Sequence, residues 1–276
     1  MQCGGENMKR RKDYKQGVHE RSMLKQKRGQ IGIWVVLAVL VIGVVLVLVF
    51  LRLPLLPAEE GATLTPQQYL SACLEQEVRP LLEEIGQQGG YREPLGFLVY
   101  NDTKVPYLCY TAEYYKPCIV QQPNVQGMFE RSLSEVMREE GERCVKQFEQ
   151  EAEKRGWRVT RSASAVNVSF VPNAVNVEVK VPMSVIGEVS RTYERFELRF
   201  ASQYYDLLAI STSILDFEST YGDSEITLYL RNYPDLSIRK TKLSDGSKVY
   251  QVRNVVTNEE FVFATRSLAW PPGYAT

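Results

Sequence analysis

The chain has 276 residues with 33 basic and 33 acidic side chains, so its formal net charge is zero. The charge is unevenly distributed, because residues 1–30 contain nine Lys or Arg and three Asp or Glu, a net charge of +6. Residues 53–276 have a net charge of −7. An acidic C-terminal part and a short basic tail argue against a nucleic-acid partner, which needs an extended basic surface.

Residues 31–51 form an apolar run of 21 residues without a charged side chain. As a helix this run would be about 31 Å long, enough to cross the hydrocarbon core of a bilayer. A cleavable secretory signal has a shorter apolar core and a small-residue cleavage site after it. The run therefore predicts a transmembrane helix that is retained, followed by a linker at residues 52–65.

Flanking charge predicts the orientation of this helix. The basic tail precedes it, and Arg52 is the only basic residue among the twenty that follow. The positive-inside rule then places residues 1–30 in the cytoplasm, where anionic lipid headgroups attract them. We expect a single-pass protein of the cell membrane whose C-terminal domain is extracytoplasmic.

The stretch "KRGQIGI" before the apolar run resembles the archaeal class III signal of prepilins and archaellins. The resemblance implies that Lys27, Arg28 and Gly29 are recognised by a prepilin-type peptidase, which cuts before Gln30. The apolar helix would then stay with the mature protein. Many pilins carry Glu at the fifth position after the cut, where this chain has Trp34. The signal makes a pilin-like filament subunit the alternative hypothesis, and the missing Glu makes an anchored surface protein the preferred one.

Three further segments resemble single-pass surface proteins of small-genome archaea. They are "YLSACL" at Tyr69–Leu74, "QGGY" at Gln88–Tyr91 and "FVFA" at Phe261–Ala264. This resemblance implies a location and a fold, namely one extracytoplasmic domain behind a class III-like start. It implies no activity.

Four of the five cysteines lie in the predicted outer domain, an even number in an oxidising compartment. Three pairings are possible, and we favour Cys109–Cys118, which closes a short loop, and Cys73–Cys144, which joins two helices. Free thiols are the alternative. A zinc site is disfavoured because the outer domain has no CxxC pair and no histidine.

Hydrophobic periodicity predicts one α+β domain at residues 66–276 with a helical pair and a mostly antiparallel sheet. Residues 66–156 read as the helical part with a Tyr-rich loop, and Pro80 is expected to bend or split the first helix. Residues 157–276 read as the sheet-rich part with one more helix at 203–222. The predicted strands cover residues 158–171, 174–186, 191–202, 225–233, 236–243, 248–256 and 259–268.

The sequence predicts no catalytic, cofactor or metal site. The only histidine, His19, lies in the tail, which removes Ser-His-Asp and Cys-His catalysis from the outer domain. Three pairs of neighbouring carboxylates are the candidates for the catalytic acids of a hydrolase: Glu83–Glu84, Glu139–Glu140 and Glu259–Glu260. Neighbouring side chains diverge, so an extracytoplasmic hydrolase using carboxylates is a second alternative only.

The segment "YNDTKVPYLCYTAEYYKPC" is the candidate recognition surface, because tyrosine offers a large contact area and a polar tip. Its tyrosines are Tyr100, Tyr107, Tyr110, Tyr114 and Tyr115. The competing interpretation is that some of them only cover the apolar surface of the domain. Asn101 and Asn167 are glycosylation sequons.

These observations together predict a membrane-anchored protein of cell-surface structure or recognition, not an enzyme. The expected partners are the membrane, a prepilin-type peptidase, and a second copy, a surface protein or a glycan.

Overall fold

The computed structural model describes residues 35–45, 65–187 and 189–271. The chain divides into two compact units, Met1–Thr63 and Leu64–Thr276. In the first unit, residues 35–45 form helix α1. The rest of the apolar run, the signal residues Lys27, Arg28, Gly29 and Gln30, and most of the linker lie outside the described residues. Within the described part of the chain, no helix has both the length and the apolar character needed to cross a membrane.

The second unit is an α+β domain with mostly antiparallel sheets, as the sequence predicts. Its first helix, α2, spans Pro66–Gln87 and begins at Thr65, whose side-chain oxygen accepts a hydrogen bond from the Gln68 N–H. Helix α2 is not split at Pro80 but continues through it as one element. Pro80 lies on the exposed face of the helix, so the apolar residues before and after it stay on one buried face.

Helix α3 spans Val125–Lys154 and helix α4 spans Tyr204–Tyr221. Helix α3 packs against α2, and the disulfide Cys73–Cys144 joins them with a Cα–Cα distance of 6.0 Å. Helix α4 ends at Gly222, whose φ of 78° is a left-handed conformation that glycine adopts at little steric cost.

The strand predicted at residues 225–233 is wrong, because the structure has a short helix there, α5, at Thr227–Asn232. The alternating Leu228 and Leu230, which suggested a strand, are both exposed. The side chains that pack against the core are instead Ile226 and Tyr229, three positions apart as on a helix. The Tyr229 hydroxyl also shares a 2.7 Å hydrogen bond with Ser213 of α4.

Six strands form the first sheet, in the order β1-β2-β10-β9-β8, with β3 also paired to β2. The β10–β2 pair is parallel and the other pairs are antiparallel. Much of the segment predicted as a Tyr-rich loop is therefore strand β2. The strand bounds are β1 Phe97–Tyr100, β2 Thr103–Tyr110, β3 Ile119–Val120, β8 Leu236–Lys242, β9 Ser247–Asn254 and β10 Glu260–Arg266.

Four strands form the second sheet, in which β6 pairs with β4 and β5 on one side and with β7 on the other. All of these pairs are antiparallel. The predicted turn at Pro172–Asn173 connects β5 to β6, and Asn173 has a φ of 62°. The bounds are β4 Arg158–Arg161, β5 Ala165–Val171, β6 Ala174–Ile186 and β7 Ser190–Ala201.

One large apolar core lies between the helices and the two sheets, and in it Phe129 and Tyr204 are fully buried and in ring contact at 5.3 Å. A smaller apolar cluster covers the opposite face of the first sheet. Its buried residues are Val105, Val249, Val262 and Ala264. Tyr100 and Tyr107 pack on this cluster and shield it.

Candidate functional site

A cleft of about 530 Å³ lies at the edge of the first sheet. We call it the aromatic cleft. It is lined by Tyr91, Leu95, Gly96, Phe97, Pro106, Tyr107, Tyr110 and Gln121. Among the described residues, no charged side chain lines it. Four aromatic rings with few polar groups are typical of a binding site for an uncharged ligand.

The position of the cleft follows from how β1 and β3 pair with β2. Both strands lie on the same side of β2, one after the other along its length. The Tyr107 N–H donates to the Gly96 carbonyl at 2.9 Å, and the Gln121 N–H donates to the Leu108 carbonyl at 2.8 Å. Gly96 and Gln121 both line the cleft, so the cleft lies at the point along β2 where the pairing with β1 ends and the pairing with β3 begins.

A β-bulge in β2 brings two tyrosines to the same side of the sheet. Ala264 of β10 lies opposite Tyr107, but the next residue of β10 lies opposite Cys109. In a regular strand Tyr107 and Tyr110, three positions apart, would point to opposite faces. The extra residue in β2 places both side chains on the same face, where the rings of Tyr107 and Tyr110 meet edge to face at 5.0 Å.

Tyr107 is held in place, whereas Tyr110 is free to meet a ligand. The Tyr107 hydroxyl shares a 2.8 Å hydrogen bond with Ser247. Burial raises the pKa of Tyr107 and outweighs the lowering effect of that hydrogen bond, so its hydroxyl stays protonated. The Tyr110 side chain is exposed. The cleft thus has a fixed inner ring and an accessible outer one.

The other three predicted tyrosines lie outside the cleft. Tyr100 packs on the smaller apolar cluster. The Arg266 guanidinium lies over the Tyr114 ring at 5.3 Å, and Tyr115 meets Trp270 edge to face at 5.2 Å. Of the five tyrosines, only Tyr107 and Tyr110 line the aromatic cleft.

Of the eight residues that line the cleft, the sequence analysis identified only Tyr107 and Tyr110. Tyr91, Leu95 and Phe97 lie before the Tyr-rich segment, and Gln121 follows it after the Cys109–Cys118 disulfide, whose Cα–Cα distance is 5.4 Å. The Asn-Asp pair at 101–102 was the available signal, because it marks a hairpin that carries the preceding residues back along β2.

Both sequon asparagines are exposed. Asn101 lies in the turn between β1 and β2 with a φ of 47°. Asn167 lies on β5 and helps to line a polar groove of about 420 Å³ on the second sheet.

A polar cluster is buried at the end of α4, and we call it the Glu218 cluster. The Glu218 side chain is 0% exposed and bonds to Lys248, itself 8% exposed, at 2.8 Å. Its carboxylate also accepts hydrogen bonds from the Tyr250 and Thr265 hydroxyls and from the Ser224 N–H. Burial and the Glu218 charge raise the pKa of Tyr250. Because both carboxylate oxygens are already bonded, the Glu218 side chain stabilises the fold.

Asp223 completes the ion pairs around Lys248. Burial alone would raise the pKa of Asp223, but hydrogen bonds and charge from Lys240 and Lys248 lower it to about 2. Asp223 is therefore ionised at neutral pH and bonds Lys248 at 3.1 Å.

The carboxylate pairs considered for a hydrolase lie apart from the aromatic cleft. Glu83, Glu84 and Glu139 are exposed on helices. Glu259 accepts a 2.6 Å hydrogen bond from the Gln203 N–H beside α4, and burial raises the pKa of Glu260. Within the described residues, no group of three or more His, Cys, Asp or Glu side chains could hold a metal ion.

The fold is an α+β domain with an aromatic cleft that no charged side chain among the described residues lines. Comparison of the chain with models of protein families, with curated proteins and with solved structures found no match in any of the three.

Proposed function

We propose that this chain is a single-pass, membrane-anchored extracytoplasmic protein of cell-surface recognition that binds a neutral glycan in its aromatic cleft. The observation that carries the proposal is the chemistry of the cleft, which combines several aromatic rings with the absence of charged lining residues in the described part of the chain. The apolar faces of sugar rings stack on tyrosine, and tyrosine hydroxyls and the Gln121 amide can bond sugar hydroxyls.

The apolar run at residues 31–51 and the charge asymmetry around it support the anchoring part of the proposal. The disulfides Cys73–Cys144 and Cys109–Cys118 support an extracytoplasmic location, because disulfides persist in oxidising compartments. The class III-like start supports processing by a prepilin-type peptidase.

Replacing Tyr110 by Ala is expected to weaken glycan binding by at least about tenfold, because it removes the accessible ring of the cleft. The measurement is affinity electrophoresis of the protein in gels that contain neutral polysaccharides of single hexoses. Tyr221→Ala is the matched control, since Tyr221 is an exposed tyrosine on α4 that does not line the cleft.

The glycan proposal fails if the unmodified protein is not retarded by any neutral polysaccharide. It also fails if Tyr110→Ala and Tyr221→Ala are retarded equally. Selective binding of apolar peptides in place of glycans would identify a protein ligand and would also contradict the proposal.

The mature chain is expected to begin at Gln30 and to remain in the membrane fraction after an alkaline carbonate wash. Intact-mass measurement of the purified protein tests the cleavage site, and immunoblotting of the fractions tests the anchoring. Release by carbonate would contradict the membrane anchor, and an intact basic tail would contradict the peptidase. Electron microscopy of cell surfaces tests the pilin-like alternative, which requires filaments that contain this chain.

A further inference from the structure

The two glycosylation sequons of the chain differ in how their backbones are held. In the first sequon, Asn101 and Asp102 form the turn between β1 and β2, and their φ angles are 47° and 63°. Positive φ at both central residues is typical of a type I′ hairpin turn, in which Asn is favoured. The exposed Asn101 side chain therefore lies at the tip of a hairpin.

Only Thr103, the last residue of this first sequon, belongs to a strand. Thr103 pairs with Tyr100, the last residue of the four-residue strand β1. Among the described residues, β1 pairs with β2 alone. The end of a short strand with a single neighbour opens at low cost, because few backbone hydrogen bonds break. The Asn101 sequon can therefore open while the rest of the domain stays folded.

The second sequon lies in the middle of β5 and is held on both edges of that strand. Asn167, Val168 and Ser169 all lie within the run of β5 residues that pair with β6. On the other edge, the Val168 N–H donates to the Ser134 hydroxyl of α3 at 2.9 Å. The Val168 side chain is 2% exposed and belongs to the large core. Freeing this sequon requires β5 to separate from β6 and from α3 at once.

Room for a sugar does not distinguish the two sequons. A groove of about 230 Å³ lies beside Asn101, and the polar groove of about 420 Å³ lies beside Asn167. Both asparagine side chains are exposed. The difference between the sequons is therefore in their backbones, since the Asn101 segment can open locally and the Asn167 segment is fixed.

We propose that Asn101 carries an N-linked glycan and that Asn167 is left unmodified in the folded chain. This inference rests on the extracytoplasmic location in the proposed function, because N-linked sugars are attached to surface loops of exported proteins. An oligosaccharyltransferase binds the asparagine amide and the Ser or Thr hydroxyl of a sequon together. A sequon in a folded chain must leave its own backbone hydrogen bonds to enter that site, which is far easier at a loop tip.

The sugar donor is an oligosaccharide joined to a membrane lipid through a diphosphate. The Asn101 Nδ2 forms a bond to the anomeric carbon of the first sugar, while the bond from that carbon to the diphosphate oxygen breaks. The lipid diphosphate leaves with the electron pair, and one Nδ2 proton passes to a base of the transferase. Thr103 is the positioning residue, because its hydroxyl holds the sequon in the transferase.

The proposal is tested on the folded full chain in detergent micelles. The chain is incubated with a lipid diphosphate-linked oligosaccharide and a single-subunit oligosaccharyltransferase that requires only Asn-x-Ser/Thr. Mass spectrometry of glycopeptides gives the rate at each sequon, and two synthetic peptides, residues 95–107 and 161–173, give the rates without a fold. After division by the peptide rates, Asn101 should be modified at least about tenfold faster than Asn167.

Equal corrected rates at the two sequons would overturn the proposal, and so would a folded chain in which Asn101 stays unmodified. Thr103→Val should abolish modification of Asn101, because it removes the hydroxyl but keeps the branched shape. Thr103→Ser keeps the hydroxyl and should be modified, and Asn167→Gln should leave the rate at Asn101 unchanged. If thermal unfolding shows that Thr103→Val does not fold, Thr103→Ala takes its place.

A second measurement separates this inference from the proposed function. In the chain purified from its own membranes, we expect a glycan on the peptide that contains Asn101, and protease treatment of the intact cells reports the location of the domain. An accessible domain without a sugar at Asn101 would overturn this inference alone, whereas a domain that the protease does not reach would overturn both. Asn101 does not line the aromatic cleft, so Asn101→Gln should still bind neutral polysaccharides.

Discussion

Replacing Glu218 by Ala is expected to lower the free energy of unfolding by about 3–5 kcal/mol. The substitution leaves the Lys248 ammonium buried without the carboxylate that bonds it through both oxygens, at 3.0 and 2.8 Å. It also removes the acceptor of the Tyr250 and Thr265 hydroxyls. Asp223 still bonds Lys248, but its side chain is partly exposed and compensates only in part.

Denaturation in urea, followed by circular dichroism, measures the effect. Asp216→Ala is the control, since Asp216 is an exposed acid on the same helix and should change stability by less than about 0.5 kcal/mol. Combining Glu218→Leu with Lys248→Met should cost less than the two single changes added together, because no unpaired charge then remains. Equal effects of Glu218→Ala and Asp216→Ala would refute the assignment of Glu218 as a buried structural charge.

Removing the Cys73–Cys144 disulfide is expected to be the second large effect, about 4.4 kcal/mol on the chain-entropy model. The bond spans 71 positions, whereas Cys109–Cys118 spans 9. A longer closed loop restricts the unfolded chain more, so removing Cys109–Cys118 should cost only about 2.7 kcal/mol on the same model.

The comparison uses the two double variants Cys73→Ala with Cys144→Ala, and Cys109→Ala with Cys118→Ala. Each is compared with the unmodified protein by urea denaturation under oxidising conditions. The variant that lacks Cys73–Cys144 should have the lower denaturation midpoint of the two. If the Cys109–Cys118 variant is the less stable one, the effect is local, through β2 and the neighbouring aromatic cleft, and the loop-length explanation is wrong.

The helices and the disulfides were accessible to sequence reasoning because their signals are local. Thr65 and Pro66 mark the start of α2, and apolar residues at helical spacing mark its buried face. Packing α2 antiparallel to α3 brought Cys73 near Cys144 without any knowledge of the sheets. The short helix α5 was predicted as a strand because six residues with alternating leucines fit a strand equally well.

Only two of the eight residues that line the aromatic cleft were identified from the sequence. Tyr107 and Tyr110 were identified by composition, but composition does not reveal the bulge that puts both on one side of β2. Tyr91, Phe97 and Gln121 reach the cleft through the pairing of β1 and β3 with β2. Such pairings depend on contacts between distant residues, for which a single sequence carries no local signal.

The amino-acid sequence by itself establishes the apolar run at residues 31–51 and its charge asymmetry, and it predicts the α+β class of the rest and the two cysteine pairs that the structure contains. These follow from periodicity, charge and spacing, which are properties of neighbouring residues. Which tyrosines line the aromatic cleft and how Glu218 meets Lys248 thirty positions away follow only from the packed structure. There, strand register and burial bring together residues whose separation along the chain is too large for any local pattern to connect.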